Sequence, residues 1–185
     1  MNCISYYPGC TLKTKARHFE EPAVEALERL GWEVRELPRW NCCGASYSLP
    51  EDDLIHQVAP VRNLVRTVEQ GSTRLLTLCA FCFHTLKRAE LILRTDHEKK
   101  DTINSFMDEE PDYEGGVDVV HLLELLRDDI GWEAVAAAVK KPLSGLSAAA
   151  YYGCTLVRPR AVAIDDVENP TVMQTLLKTV GCTVV

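Results

Sequence analysis

The sequence has no apolar run long enough to cross a membrane and no run of lysine or arginine. No window approaches the roughly 20 apolar residues that a membrane helix needs. The first residues, Met1 to Ser5, lack the basic start and apolar stretch of a secretion signal. The formal net charge is −7, so nucleic acid is not an expected partner. These absences predict a soluble, cytoplasmic protein without a transmembrane segment.

Cysteine, by contrast, is abundant for a chain of this size. A chain of 185 residues with 46% hydrophobic residues can close one substantial core, or one core and part of a second, without covalent support. Eight cysteines therefore exceed what stability requires. Inside cells, thiols serve metal binding or redox chemistry more often than structural disulfides. We therefore interpret most of the cysteines as chemical groups.

Strand-like and helix-like segments alternate along the chain. Short apolar or alternating runs predict strands at 1–7, 32–37, 74–78 and 117–120. Helical periodicity, proline starts and glycine stops predict helices at 22–30, 51–59, 60–70, 82–94, 121–130 and 132–140. This alternation predicts an α/β fold, with a mainly parallel sheet and helices on both of its faces.

Five cysteines follow the first three predicted strands. Cys10 comes after the first strand, the pair Cys42-Cys43 after the second, and Cys79 and Cys82 after the third. Between them lie 31 residues from Cys10 to Cys42, 35 from Cys43 to Cys79, and two from Cys79 to Cys82. Ligands in parallel α/β folds gather at the carboxyl ends of the strands. We therefore expect these five thiols to meet at one edge of the sheet.

The spacing of these thiols favours an iron–sulfur cluster over zinc. Zinc takes four ligands, commonly from two Cys-x-x-Cys pairs, whereas this chain offers one such pair, one adjacent pair and a single cysteine. Adjacent cysteines rarely chelate one small ion, but they can reach different metals of a polynuclear cluster. Three alternatives stay open: a zinc-binding or assembly module, disulfides, and a thioredoxin-like dithiol at Cys79 and Cys82.

These residues resemble the cysteine-rich CCG domain of the heterodisulfide reductase B-subunit family. The pattern is Cys10, then Cys42-Cys43-Gly44, then Cys79-x-x-Cys82. Further agreement lies in Tyr6-Tyr7-Pro8-Gly9-Cys10, Leu86-Lys87-Arg88-Ala89, His121-Leu122-Leu123-Glu124, Lys141-Pro142-Leu143-Ser144-Gly145-Leu146 and Tyr151-Tyr152-Gly153-Cys154. The resemblance thus covers nearly the whole chain.

The resemblance implies a cofactor, a reaction and partners. It implies a noncubane [4Fe-4S] cluster on five cysteines: Cys10, Cys42, Cys43, Cys79 and Cys82. Handling in air is expected to remove the cluster, or to load zinc or form disulfides in its place. Electrons would come from heterodisulfide reductase-type subunits of the A and C classes, or equivalent donors, and reduce a disulfide such as that of coenzyme M and coenzyme B. The iron–sulfur subunits of glycolate and lactate oxidation systems share the domain and give an alternative.

The second part of the chain echoes the first. Ser5 to Leu12 is repeated with one residue fewer at Ala150 to Leu156. We therefore expect a complete CCG domain at 1–143 and the N-terminal part of a second, pseudo-symmetric one at 144–185. Cys154 would then be the first ligand of a second cluster whose other ligands are absent. A chain cut inside its second repeat is expected to be inactive alone.

Other side chains near the cysteines are candidates for supporting roles. His84, two residues after Cys82, is a candidate proton donor, with a structural role as the alternative. Lys13 could offset cluster charge or attract an acidic substrate, and Trp40 and Tyr47 could shield the cysteine pair from water. Two further cysteines, Cys3 and Cys182, are expected to be small buried hydrophobic residues.

Overall fold

The protein is built around a four-stranded parallel sheet. A computed structural model describes residues 2–45 and 52–185, so Tyr47 and the predicted helix start at Glu51 lie outside the described residues. The strands are β1 (Asn2–Tyr6), β2 (Trp32–Glu36), β3 (Arg74–Thr77) and β4 (Asp118–His121). They are all parallel, in the order β2-β1-β3-β4. The predicted α/β fold with a parallel sheet is confirmed.

Helices connect the strands. They are α1 (Gly9–Thr14), α2 (Arg17–Arg29), α3 (Val58–Glu69), α4 (Ala80–Thr95), α5 (His97–Ser105), α6 (Leu122–Glu124), α7 (Trp132–Ala138) and α8 (Val172–Thr179). A 3₁₀ turn at Leu54–Gln57 precedes α3, and a π-helical turn at Leu125–Ile130 extends α6.

Helices cover both faces of the sheet, because neighbouring strand residues point to opposite sides. Leu75 and Val119 belong to a core that contains Leu64 of α3 and Phe83 of α4. Their neighbours in β3 and β4, Leu76 and Val120, belong to a second core on the other side, together with Leu27 of α2 and Val135 of α7. The expectation of helices on both faces is therefore confirmed.

Two predicted helix starts were wrong, and both involve proline. Helix α2 begins at Arg17 rather than at Pro22, which lies inside it. The extra turn is stabilised by Glu20, whose buried carboxylate accepts a hydrogen bond from the Tyr6 hydroxyl at 3.1 Å. Helix α3 begins at Val58, so Pro60 is its third residue, where a backbone N–H would have no helical partner anyway.

The C-terminal part contains a second, smaller parallel pair of strands. β5 (Ser147–Ala148) pairs with β6 (Thr183–Val184), and α8 lies between them in sequence. This strand–helix–strand order is the same as in β1, α2 and β2. The boundary between residues 143 and 144 stays a prediction.

Candidate metal centre

Cys10 and Cys79 lie where the order of the strands changes direction. From β1 the chain crosses to β2 on one side, and β3 then lies on the other side of β1. Such a switch point leaves a crevice at the carboxyl ends of the strands, where ligands bind. Cys10 is the second residue of α1, after β1, and Cys79 caps the N-terminus of α4, after β3. Both thiols are therefore placed at this crevice, as predicted.

The pair Cys42-Cys43 lies in an irregular loop after β2. Gly44 has a φ of 82°, and two residues with side chains, Arg39 and Ala45, have φ values of 54° and 40°. Residues with side chains rarely adopt this left-handed region, so the loop backbone is strained on both sides of the pair. Cys43 is buried, whereas Cys42 is exposed. The two neighbouring side chains therefore have different surroundings.

Cys43, Cys82 and Cys79 form one group of interacting thiols. The Sγ atoms of Cys43 and Cys82 are 3.6 Å apart, and the Ala45 N–H lies 3.4 Å from Cys43 Sγ. Hydrogen bonding to Cys82 lowers the pKa of Cys43 to about 7 and the pKa of Cys79 to about 6. The pKa of Cys82 is raised by the same two contacts and by burial. Contact with Cys82 thus favours the thiolates of Cys43 and Cys79 and disfavours the thiolate of Cys82 itself.

Cys10 and Cys42 form a second, exposed group. A hydrogen bond from the Gly44 backbone favours the thiolate of Cys42. Burial and the nearby thiols of Cys43 and Cys10 outweigh that bond, so the pKa of Cys42 is raised. Cys10 therefore lies on the same side of the molecule as the cysteine pair.

Tyr7 lies close to thiols of both groups. Its side chain is fully buried, and its hydroxyl donates a hydrogen bond to the Asn41 carbonyl at 2.9 Å. Burial raises the pKa of Tyr7 most, and four thiols raise it further: those of Cys82, Cys43, Cys42 and Cys10. The structure thus brings together the five cysteines that the sequence analysis singled out.

The arrangement of the thiols bears on which metal group they could hold. Among residues 2–45 and 52–185, no three His, Cys, Asp or Glu side chains are arranged to hold a single metal ion. Space beside Cys82 depends on Gly9, because a Cβ there would lie 2.9 Å from Cys82 Sγ. Five sulfurs in two neighbouring groups exceed the four ligands that a zinc site takes.

His84 connects the first part of the chain to the turn that contains Cys154. Its ring is buried, and its Nδ1 lies 3.1 Å from the Thr155 carbonyl oxygen. Burial lowers the pKa of His84, although hydrogen bonds to the backbone of Thr155 and Arg158 oppose this effect. The structure therefore gives His84 a bridging contact, and its proposed role as a proton donor stays a prediction. Cys154 itself is exposed.

Lys13 and Trp40 are engaged with protein groups. Lys13 Nζ forms ion pairs with Glu20 at 2.9 Å and Glu36 at 2.7 Å. Trp40 donates from Nε1 to Glu36 and packs edge-on against Tyr7, with ring centroids 5.9 Å apart. Lys13 thus neutralises two carboxylates of the fold, and Trp40 covers one side of the Tyr7 ring.

The other two cysteines differ from each other. Cys182 is buried, as expected. The same expectation for Cys3 was wrong, because Cys3 is exposed at the start of β1. It lies in a surface groove with Gln70 and Gly71, where α3 has already ended and no longer covers the sheet.

An apolar cavity of about 450 Å³ is lined by the two neighbours of Cys79 in the chain. It begins at Leu78 and Ala80, which flank Cys79, and continues to Phe19, Leu122 and Tyr151. Within the described part of the chain, no Asp, Glu, Lys or Arg lines it. The sequence analysis missed this cavity, because its walls come from segments far apart in the chain.

Comparison with known families identifies one domain in the chain. Residues 4–87 match the cysteine-rich domain family named CCG, and this range contains all five clustered cysteines. The chain therefore contains a CCG cysteine-rich domain. No helix in the described ranges has the length and apolar character needed to span a bilayer.

Two relatives align with nearly the whole chain. The chain is 37% identical over 184 residues to the 8-methylmenaquinol:fumarate reductase membrane anchor subunit of Wolinella succinogenes, covering 98% of this chain and 63% of that protein. It is 27% identical over 183 residues to the B subunit of the ferredoxin:CoB-CoM heterodisulfide reductase of Methanosarcina mazei, covering 98% and 61%. The chain thus spans about three fifths of the length of these relatives. The resemblance to the B subunit of heterodisulfide reductase is confirmed as homology.

A solved structure shares the fold. A crystal structure of a hypothetical protein from Helicobacter pylori superposes with a TM-score of 0.72 at 14% identity, covering 100% of this chain and 32% of that one. At this identity the likeness concerns the fold alone.

Proposed function

We propose that this chain is an iron–sulfur subunit of a reductase complex. Its CCG domain would hold a noncubane [4Fe-4S] cluster on Cys10, Cys42, Cys43, Cys79 and Cys82. The observation that supports this most is the gathering of five thiols at the switch point of the sheet, with Cys43 and Cys82 in contact at 3.6 Å. Such a cluster, when bound, supplies electron transfer.

Two of the five thiols, those of Cys43 and Cys79, favour the thiolate form that metals bind. Metals bind the thiolate form of cysteine, and the lowered pKa values of Cys43 and Cys79 favour that form near neutral pH. Tyr7 is fully buried, contacts Trp40 and lies close to four of the thiols, so its ring would shield that side of the site from water.

The adjacent cysteines suit a polynuclear group in particular. Cys43 faces inward to Cys82, whereas Cys42 is exposed on the side of Cys10. Two neighbouring thiols with different partners can each reach a different iron of one cluster. A single zinc ion would leave at least one of the five thiols unused.

Disulfide reduction is the reaction that we favour. Its support is the homology to proteins named as the B component of CoB-CoM heterodisulfide reductases, over nearly the whole of this chain. Electron donors resembling the A and C components of such complexes are the partners that this function requires. Cys154 would be the first ligand of a second cluster, and the chain by itself is then expected to be inactive.

Exchange of electrons with a quinol is a second candidate, and one observation favours it. The cavity beside Cys79 is apolar, uncharged in its described lining and about 450 Å³ in volume, which suits a neutral ring compound. One relative, at 37% identity, is named 8-methylmenaquinol:fumarate reductase membrane anchor subunit.

Anaerobic reconstitution tests the cluster. We expect the chain, after incubation with iron and sulfide under reducing conditions, to bind about four irons and a comparable amount of acid-labile sulfide, with a brown colour. The Cys182→Ser variant is the control and should bind the same amount. Stoichiometric zinc without uptake of sulfide would contradict the proposal and favour a zinc-binding module.

Reoxidation separates the two candidate reactions. The reconstituted chain would be reduced with dithionite, freed of excess reductant, and mixed with either an aliphatic disulfide or a short-chain menaquinone. Reduction bleaches the cluster, and its absorption returns on reoxidation. A faster return with the disulfide supports disulfide chemistry, and a faster return with the menaquinone supports the second candidate. Recovery with neither, in a chain that has its cluster, is the result expected if reduction of the substrate needs the second cluster.

A further inference from the structure

The loop that carries Cys42 and Cys43 needs support from outside itself. Arg39 and Ala45 hold φ values that residues with side chains rarely adopt, and they flank the pair on both sides. Backbone of this kind persists only where surrounding contacts fix it, and it is frequent at functional sites. Six of the hydrogen bonds that hold this loop involve one residue, Asn41.

The side chain of Asn41 bonds the loop on one side and a helix on the other. Its Nδ2 donates to the carbonyl of Cys42 at 2.9 Å and to the carbonyl of Ala59 in α3 at 2.8 Å. Its Oδ1 accepts a hydrogen bond from Nη1 of Arg66, also in α3. The amide thus joins the peptide of Cys42 directly to the helix behind it.

The backbone of Asn41 is held as well. Its N–H donates to Oδ1 of Asn63 at 3.1 Å, and its carbonyl accepts from Nδ2 of Asn63 at 3.1 Å. The same carbonyl accepts from the Tyr7 hydroxyl at 2.9 Å. Asn63 is fully buried, so this reciprocal pair is shielded from water. Every donor and acceptor of Asn41 is therefore used.

We propose that Asn41 is the positioning residue of the cysteine pair. By fixing the Cys42 peptide against α3, it keeps Cys43 turned inward to Cys82 and leaves Cys42 outward. An aspartate would keep an acceptor for Arg66 but lose both Nδ2 donations and bring anionic oxygen against two carbonyls. An alanine would lose all three side-chain bonds. The consequence for iron binding rests on the proposed function, whereas the orientation of the pair does not.

Thiol labelling of the metal-free, reduced chain tests this proposal. At one fixed pH, iodoacetamide labelling of Cys43 and Cys182 would be followed by peptide mass spectrometry in the wild type, Asn41→Ala and Asn41→Asp. We expect Cys43 labelling to rise about tenfold or more in both variants, as loss of the two hydrogen bonds frees the loop. Labelling of Cys182, the buried reference, should not change. General destabilisation would raise both rates together.

Asn104→Ala is the matched control. Asn104 is also a buried asparagine in reciprocal contact with backbone, accepting from the Tyr113 N–H at 3.1 Å and donating to its carbonyl at 3.4 Å. This variant should leave the ratio of Cys43 to Cys182 labelling unchanged. The proposal would be overturned if Cys43 in Asn41→Ala and Asn41→Asp were labelled at the wild-type rate. It would also be overturned if Asn104→Ala raised the ratio of Cys43 to Cys182 labelling as much as the Asn41 variants do.

A milder variant covers the case in which Asn41→Ala does not fold. Arg66→Met keeps Asn41 but removes the donor to its Oδ1, so we expect the same selective rise in Cys43 labelling, about threefold. No rise would count against the proposal. Iron uptake would then be compared: Asn41 variants should bind less iron than Asn104→Ala. If the wild type binds no cluster, the proposed function fails, while the labelling result still decides the role of Asn41.

Discussion

Two turns with nearly the same sequence have opposite environments in this molecule. In the first, Tyr6-Tyr7-Pro8-Gly9-Cys10, both tyrosines are buried and the cysteine joins four other thiols. In the second, Tyr151-Tyr152-Gly153-Cys154, Tyr151 is 87% exposed, and the exposed Cys154 makes no contact with another thiol among the described residues. The local motif therefore does not decide whether its cysteine belongs to a site.

The neighbours of each strand explain the difference. β1 has β2 on one side and β3 on the other, and the segments after β2 and β3 bring the cysteine pair and Cys79 to Cys10. In the described chain β5 pairs with β6 alone. The five-thiol site thus depends on β1 having a neighbouring strand on each side. In the described chain β5, the strand before Cys154, has one neighbouring strand, β6.

The largest expected effect comes from replacing each of the two equivalent cysteines, Cys10 and Cys154, with serine. Cys10→Ser should abolish most iron and sulfide uptake in anaerobic reconstitution, because it removes one of five ligands. Cys154→Ser should leave uptake unchanged. Equal loss in both variants would show that the two turns act on one metal site and that our comparison is wrong.

Removing one tyrosine ring from each turn should change the free energy of unfolding by very different amounts. Tyr7→Ala creates a cavity beside Trp40 and is expected to lower the free energy of unfolding by about 3–5 kcal/mol. Tyr151→Ala removes an exposed ring, and its effect should stay within about 0.5 kcal/mol. Urea unfolding measures both. Similar losses would contradict the burial described here.

Acid should destabilise the first part of the chain through His121. Burial lowers the pKa of His121 to about 4, from an ordinary value of 6.5. The folded ring stays neutral while the unfolded ring takes up a proton, so its stabilising effect is complete above about pH 6.5 and is lost as the pH falls toward 4. We expect a loss of about 2 kcal/mol between about pH 7.5 and pH 5.

The control for this pH effect is His121→Gln, which keeps an acceptor near the Leu123 N–H that now bonds Nδ1 at 3.2 Å. Its unfolding free energy should depend less on pH. Residues 144–185 contain no histidine, so no such effect is expected from the second part. An unchanged pH dependence in His121→Gln would show that other groups cause it.

The smallest expected effect concerns the helix of the second part. Asp165 Oδ2 accepts from the N–H groups of Thr171 and Val172 at 2.6 Å each, at the start of α8. Asp165→Ala should cost about 1 kcal/mol, and Asp165→Asn less, because an amide oxygen still accepts. Neither α2 nor α8 has a bond from the side chain of its own N-cap residue, but the Asp165 carboxylate accepts from the start of α8 instead. An unaltered melting curve for Asp165→Ala would show that this contact does not stabilise α8.

Most of the fold could be predicted from the sequence because periodicity and turn residues mark the elements. The apolar run at Leu75 and Leu76 and the Gly71 stop define β3 and the end of α3 without tertiary information. The predicted start of α2 at Pro22 was wrong because Glu20 makes its contacts with Tyr6 and Lys13 only in the folded chain. Helix α1, which carries Cys10, has no local signal beyond the Pro8-Gly9 turn.

The candidate site was predictable in its cysteines but not in its support. Spacing after successive strands was enough to expect Cys10, Cys42 and Cys79 at one edge of the sheet. Asn63 lies about 20 residues from the loop it holds, so no pattern in the sequence links it to the cysteines. The ion pairs of Lys13 likewise depend on how α1 packs against α2 and β2.

X-ray absorption at the iron edge of the anaerobically reconstituted chain tests the central claim most directly. We predict a shell of sulfur scatterers together with an iron–iron shell, because the five thiols of the CCG domain would hold several irons in one cluster. Cys10→Ser should lose the iron–iron shell, and Cys154→Ser should keep it. An isolated iron surrounded by sulfur or lighter atoms, without an iron–iron shell in the wild type, would contradict the account.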